Sequence, residues 1–426
     1  MLLLLSLLLT RVPLSPPSHE AYAASPVPAA QALPDTTTTA QTPKPSVEWR
    51  LGFDIGALYS PPRGFGVGGK LRARHLGWTG SQWLLGTVLA QRYQRIRVDM
   101  YTQDPMRSRV YGGAHLYART TTERPFFGVG PRTPDTVAVR LDHATVEAEA
   151  RLGGYVFNHS GLLVQPYVRF RYDRLSELTT DSRGLDGLDL ASQASVVDVL
   201  AENRYGVVTG IGVLTDLRDQ ARYASRGWLA QASASHFTAL DGSGLGFTRL
   251  SGTVYGLFPI AELVPRLKHH VAQLSVHVST TRGGDDVLPF YYLPTLDQRT
   301  FPGFSPFRLT GRDLVVAGLA YRLPVPSLLD LVTNAFATDL IVGVQAGNAY
   351  NRLEDDFELR LDFGTTPPEV GERAPLRPSF ALGGVLLDAQ RTRPLLTAVL
   401  GVTPEGFVLA EVALVYDLRG FRSPLR

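Results

Sequence analysis

The chain is 426 residues long, with 44% hydrophobic residues, a formal net charge of +3 and no cysteine. The charge is small and the arginines are scattered, so a nucleic-acid surface, which wants a basic run with interleaved aromatics, is not expected. Without cysteine, thiolate metal sites and cysteine nucleophiles are excluded, and the chain suits an oxidising periplasm where wrong disulfides are a hazard.

At the N-terminus, Leu2 to Leu9 is an apolar h-region and Ala21-Tyr22-Ala23 is an A-x-A cleavage site, so residues 1–23 are read as a signal peptide. A basic n-region is missing and Arg11 interrupts early, a pattern expected of a start lying upstream. Residues 24–46, rich in Pro, Ala and Thr, read as a flexible linker. After the first ten residues no stretch approaches the ~18 continuous apolar residues of a membrane helix. Any crossing of a membrane must therefore be made by strands.

From residue 48 onward the dominant signal is a period of two. Trp49, Leu51, Phe53, Ile55, Ala57 and Tyr59 fall on one face, and Glu48, Arg50, Gly52, Asp54 and Gly56 on the other. A strand sends successive side chains to opposite faces, whereas helical spacing would scatter these residues around the axis. The same alternation places Val110, Leu116 and Ala118 against Tyr111, His115 and Arg119. Val146, Ala148 and Leu152 alternate with Glu147, Glu149 and Arg151, and Val168 and Phe170 with Tyr167, Arg169 and Arg171. Later runs are Trp228 to Ser235, Ala272 to Ser279, Leu340 to Gln345 and Val408 to Asp417. A water-soluble sandwich and a membrane barrel both alternate in this way. The polar face here carries large Arg, Glu, Tyr and Gln side chains, suited to cross-linking inside a lumen. Aromatic residues near strand ends, such as Tyr59, Trp78, Trp83, Trp228 and Tyr416, suit interfacial girdles. The expected fold class is all-β: a transmembrane antiparallel β-barrel over residues 47–426. At roughly 22–26 residues per strand with its share of connections, that segment holds about 16 strands.

Several segments then resemble, in order, a known family. Pro125-Phe126-Phe127-Gly128-Val129-Gly130-Pro131 resembles the F-[FY]-G-x-G signature of the bacterial surface antigen family, the outer-membrane assembly and translocation barrels similar to BamA and TamA. Asp216-Leu217-Arg218-Asp219 followed by Gly227-Trp228 resembles that family's strand–turn element. Phe301-Pro302-Gly303-Phe304, then Phe307 to Asp313 with Arg312, and Ala320-Tyr321-Arg322 resemble its inward-folded loop and next strand. Gln345-Ala346-Gly347-Asn348-Ala349-Tyr350 resembles its D-x-G-x-[VA]-[WY] strand. The ordered series covers most of residues 48–426.

The resemblance implies an inward-folded loop near residues 290–312 and a weakly paired seam between first and last strands. In the family a loop arginine pairs with an aspartate on the wall; here those positions hold Pro302 and Gln345. A lone buried charge would cost several kcal/mol, so loss of both halves together is self-consistent. The loop is expected to fold inward through Phe301 and Phe304 without that ionic lock, with Arg299 or Arg308 as substitutes. Assembly members also carry folded POTRA repeats ahead of the barrel, for which the linker 24–46 has no room.

Other motifs are set aside. Gly64-Phe65-Gly66-Val67-Gly68-Gly69-Lys70 nearly matches a phosphate loop, but Leu71 stands where Mg²⁺ needs Ser or Thr, and a strand follows instead of a helix. His269, His270 and His277 lack a carboxylate at ligand spacing, so no metal or other cofactor is expected. Asp142 and His143 could be drawn into a hydrolase site with a nearby serine, yet there is no G-x-S-x-G elbow, and catalytic residues are not expected. Asp285-Asp286 and Glu354-Asp355-Asp356 read as solvated loop charge. The expected function is outer-membrane protein insertion or substrate translocation at the bacterial outer membrane, not an enzymatic one. The expected partners are outer-membrane lipid and lipopolysaccharide, with a POTRA-bearing or secreted protein. The alternative is a passive pore or structural barrel that has lost assembly activity.

Overall fold

The computed structural model describes residues 50–417 apart from 61–62, 79, 104–108, 134–138, 157–160, 181–191, 194–202, 220–222, 284–287, 297–300, 306, 326–335, 365–367, 369–371 and 392–393. The signal peptide, the linker and residues 47–49 expected from the sequence lie outside the described residues, as do Asp285, Asp286, Arg299 and the run after residue 417.

Eleven strands follow one another: β1 (Arg50–Ser60), β2 (Gly64–Arg74), β3 (Gln82–Ala90), β4 (Tyr93–Tyr101), β5 (Val110–Phe126), β6 (Val139–Tyr155), β7 (Leu163–Thr180), β8 (Arg204–Asp216), β9 (Gly227–Ala239), β10 (Gly246–Pro259) and β11 (Val271–Arg282). A two-stranded piece, β12 (Thr295–Leu296) and β13 (Leu309–Thr310), lies within the connection that follows. Next come β14 (Asp313–Val325), β15 (Phe336–Tyr350), the single helical turn α1 (Leu353–Asp356), β16 (Phe357–Leu361), β17 (Ala374–Asp388), β18 (Pro394–Thr403) and β19 (Gly406–Asp417). Neighbours in sequence pair antiparallel from β1 through β11. The order continues β11–β14–β15–β17–β18–β19, again antiparallel. β1 carries β2 along one edge and β19 along the other.

The expected fold class, a transmembrane antiparallel β-barrel of about 16 strands, is corrected to a large, mostly antiparallel sheet. The sheet has 17 strands, and one of them, β16, runs parallel to β17. The reason is local: β17 begins at Ala374, whereas β15 pairs with it only from Arg377 onward. The exposed edge of residues 374–376 is taken by Phe357, Glu358 and Leu361. Five residues beside the acidic turn carry no local signal of a parallel pairing, which depends on an edge set elsewhere in the chain.

The two faces have opposite chemistry. Leu116, Leu152 and Val168 are 59%, 62% and 52% exposed, while their neighbours Glu149 and Arg169 are 6% and 7% exposed. A soluble sheet buries its apolar face; this one encloses its charges and turns aliphatic side chains outward. The enclosed charges are cross-linked. Arg169 contacts Glu149 at 2.7 Å, Arg171 contacts Asp173 at 2.6 Å, and His143 Nε2 lies 3.0 Å from Asp173 Oδ1. Buried charges persist only when paired and hydrogen-bonded, which explains the density of arginine–carboxylate contacts on this face. Among the described residues no helix is long and apolar enough to cross a membrane, which says nothing of strands.

The glycine run Gly64–Lys70 is the start of β2, reached through a tight turn in which Arg63 N donates to Ser60 O at 3.0 Å. Asp142 accepts from Glu123 N at 2.9 Å, whereas the adjacent His143 is wholly buried against Asp173. The strand thus separates the two residues that a paper triad would join.

Candidate functional site at the folded loop

The connection between β11 and β14 folds against the enclosed face. Its first part is a short turn, Phe290–Tyr292, with all three rings buried. Phe290 packs on Phe126 at 4.7 Å, and Tyr292 on Phe237 and Phe247 at 4.7 and 5.3 Å. Interior arginines cover these rings: Arg124 lies 5.0 Å from Phe290 and Arg171 4.8 Å from Tyr292. Such cation–aromatic contacts gain strength where water is excluded. Burial in this cluster pushes the hydroxyls of Tyr291 and Tyr292 well above the ordinary phenol range.

The second part carries the Phe301-Pro302-Gly303-Phe304 segment. Phe301 and Phe304 are buried and stacked, 4.9 Å apart with an 11° interplanar angle. The tip seats directly on β18. A Cβ on Gly303, which has φ +99°, would stand 2.7 Å from Thr403 Cγ2, and a Cβ on Gly401 would stand 2.1 Å from Gly303 N. Two backbones therefore meet with no side chain between them, a contact only glycine permits. Ser379 Oγ donates to the Pro302 carbonyl, and Thr403 Oγ1 donates to the Gly303 carbonyl at 3.3 Å.

Below the tip, Arg308 is fully buried. It donates through Nη2 to Glu405 Oε1 at 3.2 Å and through Nη1 to Thr133 Oγ1, and its guanidinium lies 5.7 Å from the Phe127 ring. Arg377 donates to the same Glu405 oxygen at 2.6 Å and to the Pro131 carbonyl at 3.2 Å. One carboxylate in the β18–β19 turn thus ties the loop and the β17 wall together. Arg308 was one of two substitutes the sequence offered for the loop arginine. Glu405 and Arg377 were missed, because an acid in a Pro-Glu-Gly turn has the signature of solvated charge.

The positions suggested by the resemblance divide between the two ends of the sheet. Phe127, Gly128 and Gly130 belong to the loop end: Phe127 is buried beside Arg308, and Gly130 N donates to Thr310 O at 2.7 Å. A Cβ on Gly130 would stand 2.7 Å from the Asn351 side chain. Arg312 joins the same end through its carbonyl, which accepts from Thr281 N at 2.9 Å. Gly347 pairs with Arg377, and a Cβ there would stand 2.7 Å from Val315 O. Gln345 is 1% exposed, and neither of its amide atoms finds a hydrogen-bond partner. Pro302 and Gln345 make no ionic contact; the charged link lies at Arg308 and Glu405 instead.

Asp216, Arg218, Asp219, Gly227 and Tyr321 lie at the opposite end. Arg218 embraces Asp216 with contacts of 2.8 and 2.7 Å. Asp219 accepts from Ser225 N at 2.9 Å and Arg226 N at 3.2 Å, while Gly227 approaches the Leu217 carbonyl too closely for a side chain. These contacts close the β8–β9 turn and thrust Tyr223 inward. Its hydroxyl donates to Asp339 Oδ2 at 2.5 Å beneath the Arg322 guanidinium, 4.1 Å from the ring. Arg322 also donates to the Ala224 carbonyl at 2.7 Å, and Arg391 pairs with the other Asp339 oxygen. Burial raises the Tyr223 hydroxyl far above its ordinary range. Tyr321 makes a 2.8 Å contact between its hydroxyl and His270 Nδ1.

No protein-family model matches the chain, and no curated protein matches its sequence. Solved structures do. BamA from Haemophilus ducreyi lacking POTRA domains 1–3 aligns over 86% of this chain and 70% of its own, at a TM-score of 0.61 and 12% identity. CdiB from Escherichia coli aligns over 87% of this chain at a TM-score of 0.53 and 9% identity, and CdiB from Acinetobacter baumannii over 86% at 0.50 and 11%. The chain spans 63% and 60% of those two CdiB chains, less than two thirds of each. Identities this low carry the fold and not the activity. The likeness is one of fold, to the BamA and CdiB structures.

Proposed function

We propose that this chain is an outer-membrane assembly or translocation protein, which handles polypeptide at the seam between β1 and β19 while the folded loop braces the wall beside it. One observation carries the reading: β1 and β19 pair antiparallel over Asp54–Tyr59, although no hairpin turn joins them. A ladder is held residue by residue through its hydrogen bonds and cross-strand contacts, so a seam between strands remote in sequence opens without straining a connection. The loop tip sits on β18, two strands from that seam, and Glu405 holds it from the turn leading into β19. The work is strand pairing and passage, with no bond broken and no cofactor. Its partners are outer-membrane lipid and lipopolysaccharide, and a POTRA-bearing or secreted protein that delivers or receives the polypeptide.

The chain has no cysteine, so the double variant Ala57→Cys/Leu414→Cys, at paired positions, places a single reversible cross-link across the seam. Oxidation is expected to stop the activity, read as the levels of other outer-membrane proteins and of a secreted partner, and reduction is expected to restore it. Full activity in the cross-linked state would defeat the opening mechanism. The second reading, a passive pore or structural outer-membrane protein, is favoured by the replacement of the family's loop arginine and wall aspartate with Pro302 and Gln345. It predicts no change in other outer-membrane proteins on deletion, with small-ion conductance by the purified protein if it is a pore.

A further inference from the structure

The outward face of β11 runs through Leu274, Val276 and Val278, all well exposed, and then turns polar at Thr280 and Arg282. The chain that leaves β15 overhangs this end of the row. Leu353 N donates to Asp313 Oδ2 at 2.7 Å, fixing α1 above β14. Arg282 reaches up to the same carboxylate at 2.5 and 2.9 Å and to Glu354 at 3.3 Å. Between the overhang and the wall is a cavity of about 540 Å³, lined by Val278, Thr280, Leu353 and Phe357 with Arg282 and Arg373. Sites for small ligands span roughly 300–1,000 Å³. Beside it, Leu359 and Leu361 of β16 and Phe363 just after it are 83%, 49% and 59% exposed.

The two arginines at the cavity differ. Arg282 is consumed by two acids. Arg373 is exposed and makes no hydrogen bond or ion pair with any described residue. Asp313 and Glu354, which also line the cavity, share Arg282, and neither contacts Arg373, whose guanidinium can meet an incoming anion. A planar guanidinium recognises phosphate through paired N–H donors. An apolar cavity continuous with an aliphatic outer wall, with a guanidinium at its rim that no described residue engages, fits an amphiphile.

We propose that the cavity under β16 binds a phosphate-bearing lipid, its phosphate on Arg373 and an acyl chain along Val278 and Phe357, with Leu359, Leu361 and Phe363 lying against neighbouring chains. This rests on the outer-membrane reading. The test uses the full chain, purified in a phosphate-free maltoside detergent, with native mass spectrometry during titration with phosphatidylglycerol and with diacylglycerol of the same acyl chains. One equivalent of phosphatidylglycerol is expected to be retained in preference to diacylglycerol. Arg373→Ala, an exposed position, is expected to weaken that retention about tenfold while leaving heat-modifiable gel migration unchanged. Val278→Asp is expected to abolish retention of both lipids. Equal retention of the two lipids, no effect of Arg373→Ala, or a co-purified peptide on β16 in place of lipid would overturn the inference. A chain that stays in solution without detergent would instead overturn the outer-membrane reading on which it rests.

Discussion

The two ends of the sheet are each filled by a segment folded against the enclosed face, and they are held by different physics. At the loop end the Phe301–Phe304 tip meets β18 backbone to backbone, and one carboxylate, Glu405, accepts from two arginines. At the other end a single phenol, Tyr223, slips beneath Arg322 to reach Asp339, a carboxylate that Arg391 already neutralises. The first arrangement depends on a carboxylate that two guanidiniums share. The second keeps its charge balance when the phenol is lost. A buried ion bridge is costly to break from one side, because the partner left behind is an uncompensated charge; a neutral donor leaves a smaller debt.

The sharpest way to break the comparison is Glu405→Ala, which removes the carboxylate that Arg308 and Arg377 share. The expected loss is about 3–5 kcal/mol, measured as equilibrium urea unfolding in detergent micelles. A loss below that of Tyr223→Phe would show that the bridge is not what holds the loop end. Next is Gly401→Ala, whose Cβ would occupy the place of Gly303 N. Overpacking against backbone is expected to cost about 1–3 kcal/mol and to lift the tip, so limited proteolysis between residues 294 and 309 should accelerate. Tyr223→Phe removes one hydrogen bond and keeps the ring under Arg322, an expected cost of about 1 kcal/mol in the same unfolding experiment. The smallest effect has the opposite sign. Gln345→Leu replaces an amide with no partner by an apolar side chain, and is expected to be neutral or stabilising by under about 1 kcal/mol; marked destabilisation would mean that the amide has a role in the fold.

Much of the wall was legible in the sequence. The runs from Val110 to Arg119, Thr145 to Arg151 and Tyr167 to Arg171 alternate apolar and polar residues, and the structure exposes the first kind and encloses the second. The Phe-Phe-Gly-Val-Gly and Phe-Pro-Gly-Phe segments pointed to the region where Arg308 is held. Glu405, Arg377, Asp339 and Tyr223 were invisible as partners, as was the pairing of β16. Each is an ordinary residue for its local setting, and only its distant neighbour gives it a task.

The division has a physical basis. Side-chain alternation is a property of consecutive residues, so the sequence alone determined which positions turn outward and which join the enclosed charges. The partners of those charges are set by strand register and by the curl that brings remote strands together. Arg308 and Glu405 are separated by 97 positions and Tyr223 and Asp339 by 116. Which acid neutralises which arginine, which turns fold inward, and where a parallel strand finds an open edge were decided by the tertiary structure.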